Sequence, residues 1–504
     1  MRGLERHDIV IQPAKSAGIP FGPELVLTLG RSVGFAATFF IPVVLVRVFD
    51  QTTFGTYKQL FLVFATLYFI AQVGLAESLF YFVPQAQGRR GTYVANAAIG
   101  LGALGLATGA LLWARAPALA AWLNNAALAP YLPWIGAFLL LMLVSAGLEI
   151  VLIARGRFVW AAASYGLSDL LRAALFILPA LVTRRLEWVL LGAVAFAALR
   201  MVVTLGYFIG EFRGALRPGS GALGEQLSYA LPFGAAVLIE TIQGNLHQYV
   251  VSARFDAATF AIYAVGCLQV PFVDFVAGPA GSVMMVRMSE RLGDNDRGSV
   301  LELWHQTTLR LAMIFFPLTA MLLVLGRDLI LVLFTPAYAA SVPIFLAWTL
   351  SILFPVLQTD GVLRVFARTR FMLMVNVARL VLILGSISWF LSTFGLIGAV
   401  LVTLSSMIVA KGLMLFDMCR LLKVGPRRLL PWGGLATTAG LAAAAAAPAW
   451  VVMQALADHP LAGLAAAGMT YASIYLAALA AVHRWPRSGG GAVEPLQAVR
   501  AEGA

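Results

Sequence analysis

The chain has 504 residues, 61% of them hydrophobic and 12% charged, with a mean hydropathy of +0.88. That balance excludes an ordinary water-soluble domain. A net charge of +12 would suit nucleic acid or an acidic surface, but the loops account for it better, as shown below.

A hydrocarbon core of roughly 30 Å needs about 20 apolar residues per helix. Fourteen stretches meet that length, at 24–47, 57–82, 93–114, 131–153, 158–182, 187–210, 227–251, 258–284, 303–325, 340–357, 371–392, 394–417, 432–455 and 461–482. Their apolar runs are continuous and lack the ~10-residue alternation of barrel strands. The expected class is an all-α polytopic membrane protein with about 14 transmembrane helices. The first stretch, from Glu24, is too long for a signal-peptide core and is expected to remain as a span.

One motif occurs twice. Phe49-Asp50-x-x-Thr53-Phe54-x-x-Tyr57 recurs 206 residues later as Phe255-Asp256-x-x-Thr259-Phe260-x-x-Tyr263. Six apolar stretches separate the copies, so both enter the bilayer from the same side. The expected plan is two parallel six-helix lobes, 24–210 and 226–417, joined by a polar linker at 211–225 and related by a pseudo-two-fold along the membrane normal. A cytoplasmic tail (1–23) precedes them. An accessory helix pair (418–483) and a polar, disordered tail (484–504) follow. In each motif copy the aspartate is placed to cap the next helix, with the aromatics at the membrane interface.

With the N-terminus inside, the opposite loops carry only Arg47, Lys58, Arg115, Arg184, Arg185, Arg254 and Arg327, and the remaining loop arginines and lysines fall on the cytoplasmic side. This obeys the positive-inside rule and predicts both termini in the cytoplasm. The basic excess then reports topology and not a nucleic-acid site. Cys267 and Cys419 form neither a disulfide framework nor a metal spacing. There is no phosphate-binding GxxxxGK[ST] loop. The longest external loop, about Ala116–Pro130, is too short to house a catalytic domain. A non-enzyme without metal or cofactor is expected.

Ionisable side chains within spans cost about 2.5–3.5 kcal/mol each on insertion scales, so they must face partners or water. Glu240, Gln243 and His247 fall on one helical face, with Glu240 near the middle of its span. Glu240 and His247 are candidates for ion coupling, or for structural pairing with a neighbouring helix. Arg31 lies about two turns into the first span, placed either to hold a phosphate as a bidentate fork or to pair with an acid such as Glu77 or Glu240. Asp169 and Arg172, three residues apart, form a self-neutralising pair. Asp274 lies near midplane as a further ion-coupling candidate, with Arg310 and Arg379 as possible partners across helices. Arg200, Arg310 and Arg379 join Arg31 as substrate-binding candidates. The appended pair, without an ionisable residue from Pro431 to Ala457 or from Leu461 to Val482, reads either as peripheral helices or as a greasy guide for a lipid tail.

At Arg47-Val-Phe-Asp-Gln-Thr-Thr-Phe-Gly-Thr-Tyr57 and Gly74-Leu-Ala-Glu-Ser-Leu-Phe-Tyr-Phe-Val-Pro84 the chain resembles the polysaccharide biosynthesis exporters. These are the Wzx-type flippases of the MOP superfamily, which also holds the MATE antiporters and the lipid II flippases. The resemblance implies a cavity alternating between the two sides of a bacterial inner membrane. It implies a polyprenyl-pyrophosphate-linked oligosaccharide as substrate, with cavity arginines, Arg31 first among them, on the pyrophosphate. Fourteen spans exceed the twelve common among such exporters and resemble the lipid II flippases. The expected function is therefore a flippase for lipopolysaccharide or exopolysaccharide assembly, driven by an ion gradient or the membrane potential. Its expected partners are the bilayer, the glycolipid, and polysaccharide polymerase and export machinery, with no nucleic acid. A MATE-type cation or drug antiporter and a membrane glycan polymerase or ligase are the alternatives.

Overall fold

The computed structural model describes residues 23–86, 88–270, 272–293 and 296–484. Apart from Pro23 and Arg484, the expected tails 1–23 and 484–504 lie outside the described residues. The helices are α1 (Pro23–Val48), α2 (Gln51–Gln72), α3 (Ser78–Gln85), α4 (Arg90–Ala114), α5 (Ala116–Trp122), α6 (Leu132–Val144), α7 (Leu148–Ala154), α8 (Phe158–Thr183), α9 (Leu186–Phe212), α10 (Ser220–Arg254), α11 (Ala257–Gly266), α12 (Phe272–Gly293), α13 (Arg297–Phe334), α14 (Val342–Thr349), α15 (Thr359–Val365), α16 (Thr369–Phe394), α17 (Leu396–Leu422), α18 (Pro426–Leu429), α19 (Trp432–Ala455) and α20 (Pro460–Arg484). No strand occurs among the described residues.

Among the described residues, twelve helical segments are long and apolar enough to cross a membrane, and the bent α10 makes thirteen, beside the about fourteen expected. The missing one is 258–284, which is split into the ten-residue α11 and the separate α12. Asp274, Arg287, Glu290 and Arg291 leave α12 too polar to qualify as a span. The expected span 57–82 is also divided. α2 begins earlier, at Gln51, and ends where Val73 and Gly74 take positive φ values of 48° and 72°. α10 bends by 45° between its segments Ser220–Pro232 and Val237–Arg254. Pro232 lies at the bend, where it removes a helical N–H.

The described chain forms two compact units. Of the described residues, unit one holds 23–272, 330–348 and 369–413; unit two holds 273–329, 349–368 and 414–484. This partition differs from the one implied by duplication: residues 24–210 lie wholly in unit one, whereas 226–417 are shared between both.

In unit one the closest helix approaches depend on small residues. α1 lies along α8, where a Cβ on Gly30 would meet the Ala162 carbonyl at 2.4 Å. Gly30 and Gly34 form a GxxxG face, which lets backbones approach without hydrophobic driving force. Phe61, Phe64, Phe138 and Phe176 fill the space beside them, with the Phe64 and Phe138 centroids 4.4 Å apart. Such tilted and edge-on arrangements suit ring quadrupoles. Arg47, in the last turn of α1, donates to the Val332 and Leu333 carbonyls. These carbonyls end α13 and have no intrahelical donor, so a cation there also complements the helix dipole.

Both motif copies cap a helix as expected. Asp50 and Asp256 share an extended backbone (φ −68°, ψ 166° and φ −70°, ψ 170°) and accept from the Thr53 and Thr259 amides at 3.3 and 2.8 Å. The aromatics are buried within the protein: Phe54, Phe260 and Tyr263 are fully enclosed and Tyr57 nearly so. The copies also pack on each other. A Cβ on Gly55 would come 1.8 Å from the Ala257 carbonyl. The residue equivalent to Gly55 by the 206-residue offset is Ala261, so both copies are small at that point.

In unit two, α19 and α20 pack through Ala445, Ala449 and Ala467, all fully buried. The Tyr471 hydroxyl donates to the Ala442 carbonyl at 3.0 Å, and that of Tyr475 to the Met313 carbonyl at 2.9 Å. Those bonds satisfy the only polar ends of two large side chains and join the pair to α13. Trp304 is fully buried and donates Nε1–H to the Leu429 carbonyl at 2.9 Å.

Asp256→Ala is expected to lower stability by about 1 kcal/mol, and Asp256→Asn to recover most of that. Bonds from the Thr259 hydroxyl and amide hold the Asp256 carboxyl below its ordinary value. The charged cap's contribution is thus present above that ordinary value and lost as pH falls through the lowered one. Thermal melts of wild type and the Asn variant in detergent at neutral and acidic pH check this, and a gap that widens on acidification would refute it. Gly55→Leu is expected to abolish monodisperse protein on size exclusion, because α2 and α11 cannot then approach.

Candidate functional site

The best-enclosed charges lie where α7, α8 and α9 meet. Glu149 Oε2 accepts from Arg200 Nη2 at 2.7 Å, and Oε1 from the Ser164 hydroxyl at 2.8 Å. Arg200 Nη1 donates to the Ser168 hydroxyl at 2.7 Å. The two charged side chains are only 14% and 4% exposed. Ser164 and Ser168 stand one turn apart on α8, so a single helix face serves both charges. A cavity of about 560 Å³ opens over this floor, with walls that include Leu148, Trp160, Leu167, Leu199 and Val203.

Asp169 and Arg172 form the expected pair, 3.9 Å apart and half-buried on α8. α1 presses against it: a Cβ on Gly34 would fall 2.4 Å from Asp169 Oδ2. Arg31, one turn earlier on α1, is exposed. Its Nη2 donates to the Tyr165 hydroxyl at 3.3 Å, and its guanidinium lies 4.9 Å from that ring's centroid. An aromatic face holds it, in place of the Glu77 or Glu240 weighed as partners. Arg31, Asp169, Arg172, Glu149 and Arg200 all belong to unit one.

On α10 the three polar residues have different surroundings. Glu240 is exposed. Gln243 is buried and donates to the Asn376 carbonyl at 2.5 Å. His247 is buried, with Nδ1 2.6 Å from the Tyr263 hydroxyl and its ring 5.1 Å from that of Trp348, and its Nε2 lacks a partner among the described residues. Tyr263 belongs to the second motif copy, so the repeat reaches a candidate residue directly. Arg379 Nε donates to the Ser406 hydroxyl at 3.3 Å. In unit two, Asp274 and Arg310 are exposed and make no ion pair among the described residues.

Several charges were not singled out from the sequence. Glu149 is the lone acid in the span Leu132–Ala154, and that isolation was the available signal. Arg155 and Arg157 both bind Glu211, at 2.9 and 2.7 Å. In unit two Arg368 forks onto Asp417 at 3.1 and 3.0 Å, pairing a loop guanidinium with an acid near the end of α17. Among the described residues, no group of three His, Cys, Asp or Glu side chains could hold a metal ion.

The polysaccharide biosynthesis protein family model matches residues 44–343. The chain belongs to that family. Among curated proteins none matches it in sequence. Solved structures share its fold. The lipid II flippase MurJ, in an inward closed conformation, has a TM-score of 0.65 at 14% identity and covers 90% of this chain and 99% of its own. An inward-facing multidrug resistance MATE family transporter of the MOP superfamily has a TM-score of 0.56 at 16% identity, over 80% of this chain and 99% of its own. A MATE transporter from Vibrio cholerae has a TM-score of 0.54 at 12% identity, over 80% and 95%. The fold is thus that of the MOP-superfamily transporters, and the chain is a multi-pass membrane protein.

Removing one partner of the Glu149–Arg200 pair leaves the other buried and uncompensated, at a cost of about 3–5 kcal/mol. Glu149→Ala and Arg200→Ala are each expected to lose most folded protein in detergent. The joint Glu149→Leu and Arg200→Met variant should recover melting temperature toward wild type. Single variants that melt like wild type would exclude the pairing.

Proposed function

We propose that the chain is a flippase that moves a polyprenyl-pyrophosphate-linked oligosaccharide across a bacterial inner membrane for lipopolysaccharide or exopolysaccharide assembly. The observation that carries this reading is the extent of the fold likeness. It runs over 90% of the chain for a lipid II flippase, against 80% for the MATE transporters named above, and the family is one of polysaccharide biosynthesis. In this reading the termini are cytoplasmic and two six-helix lobes, 24–210 and 226–417, alternate in access. The polyprenyl tail stays in lipid, with the accessory helices 418–483 as its guide. Polysaccharide polymerase and export machinery take the translocated product.

The substrate-binding arginines are Arg31, Arg310, Arg379 and Arg200. Arg31 and Arg310 are exposed, and Arg31 is steadied by Tyr165 through Nη2, with Nη1 left for a pyrophosphate oxygen. Arg200, fixed by Glu149, sets the charge of the floor beneath α8. Glu240, His247 and Asp274 are the residues for coupling to an ion. One charge crossing 100 mV supplies roughly 2.3 kcal/mol, so a single coupled ion biases each cycle appreciably.

Deleting the gene and assaying surface polymer alongside cytoplasm-facing lipid-linked oligosaccharide tests the reading. The expected result is lost polymer with complete repeat units trapped inside. Arg31→Ala and Glu240→Ala should each reduce export by about tenfold, as expected for losing one charge-assisted contact, while the protein still inserts. Normal polymer with altered sensitivity to cationic drugs would identify an antiporter. Normal polymer and normal drug sensitivity would exclude both transport readings.

A further inference from the structure

The apolar walls above the Glu149–Arg200 floor, and the arginines at their rim, are not accounted for by the transport reading. The cavity's volume of about 560 Å³ lies within the roughly 300–1,000 Å³ of ligand pockets. Its walls are bare apolar side chains: Trp160 is 69% and Leu167 70% exposed on α8, and Val203 61% on α9. Trp160 and Leu171 both line it. Eleven residues of helix between them make it about 16 Å long, about half the hydrocarbon thickness. The floor is neutral, because Arg200 and Glu149 cancel.

The mouth is not neutral. The turn between α7 and α8 carries Arg155 and Arg157, and both bind the one carboxylate of Glu211, at 2.9 and 2.7 Å. Two positive charges on one negative leave a net positive charge. Arg157 is 46% exposed, and its guanidinium lies 5.6 Å over the Tyr207 ring. As the turn at the end of a span, this mouth sits at headgroup depth, with Trp160 less than one turn further in, where interfacial indoles favour the boundary. An apolar slot half a bilayer long, with an uncancelled guanidinium at its interfacial end, has the chemistry of an anionic lipid.

We propose that the groove walled by α7, α8 and α9 binds one acyl chain of an anionic phospholipid, with the phosphate against Arg155 and Arg157. The alkyl chain displaces no polar contact, since Ser164 and Ser168 are already bonded to the floor. Arg157 Nη2 is held by Glu211, and its remaining N–H donors are left for the phosphate. The phosphate contacts, Arg155 and Arg157, are not among the residues proposed to bind the cargo, although Arg200 of the floor is.

The test uses the full chain in nanodiscs of phosphatidylglycerol and phosphatidylcholine. Each lipid is supplied in turn as a trace probe with a diazirine in its acyl tail, and adducts are mapped by peptide. Adducts of the phosphatidylglycerol probe are expected to concentrate on residues 158–171 and 196–207. Leu167→Trp and Leu199→Trp, which fill the groove, should each cut them by about tenfold, a loss of 1.4 kcal/mol in site affinity. Arg157→Gln leaves Arg155 on Glu211 and should abolish the preference for phosphatidylglycerol, whereas Arg157→Lys should keep it. All four variants are compared at matched size-exclusion profiles. Adducts spread evenly over the spans, equal labelling by both probes in wild type, or labelling that survives both tryptophans would overturn the proposal. So would labelling of these peptides by a diazirine-tailed polyprenyl phosphate but not by phosphatidylglycerol, which would give the groove to the cargo's tail.

Discussion

A charge inside hydrocarbon persists only beside a partner or beside water, and the polar organisation of this chain follows from that constraint. In unit one three acids each have a guanidinium: Glu149 has Arg200, Glu211 has Arg155 and Arg157, and Asp169 has Arg172. In unit two Asp417 has Arg368. Every one of these cations is arginine, whose planar fork shares donors between a carboxylate and a neighbouring hydroxyl, as Arg200 does with Glu149 and Ser168. These pairs solvate one another in place of water.

The second constraint is distance. Lipid tails are as apolar as leucine, so helices in a bilayer gain by fitting and not by hiding. The approaches of Gly30 to Ala162 and of Gly55 to Ala257 leave no room for a Cβ. They place α1 on α8 and α2 on α11. The first contact positions Arg31 against Tyr165, and the second brings the two motif copies together. Small residues therefore decide where the charged ones stand.

The span-forming segments were legible because continuous apolar length is a strong signal, and the caps because Asp-x-x-Thr at a helix start has one geometry. The burial of Phe54 and Phe260 was not legible. Their sequence context fits an interfacial aromatic equally well, and only the crossing of α2 with α11 encloses them. The break inside 258–284 was hidden by hydropathy averaging, since apolar residues flank it while Asp274 and the charges of α12 interrupt the span. For the site, the Asp169–Arg172 pair was readable because both partners lie on one helix. The Glu149–Arg200 pair joins residues 51 positions apart, and periodicity carries no information about which helix neighbours which. The 206-residue repeat shows duplication but not divergence: α2 runs 22 residues where its counterpart α11 stops after ten.

What is left without an opposite charge has a physical consequence. Arg31, Glu240 and Arg310 are exposed side chains on long apolar helices and lie in no ion pair among the described residues. Each would cost about 2.5–3.5 kcal/mol if it faced lipid, more than a cation–π contact such as that of Arg31 returns at an exposed site. A folded chain that retains all three therefore requires water at these positions. At these three positions charge is met by solvent and not by an opposite charge, which sets them apart from the arginine–carboxylate pairs that solvate one another.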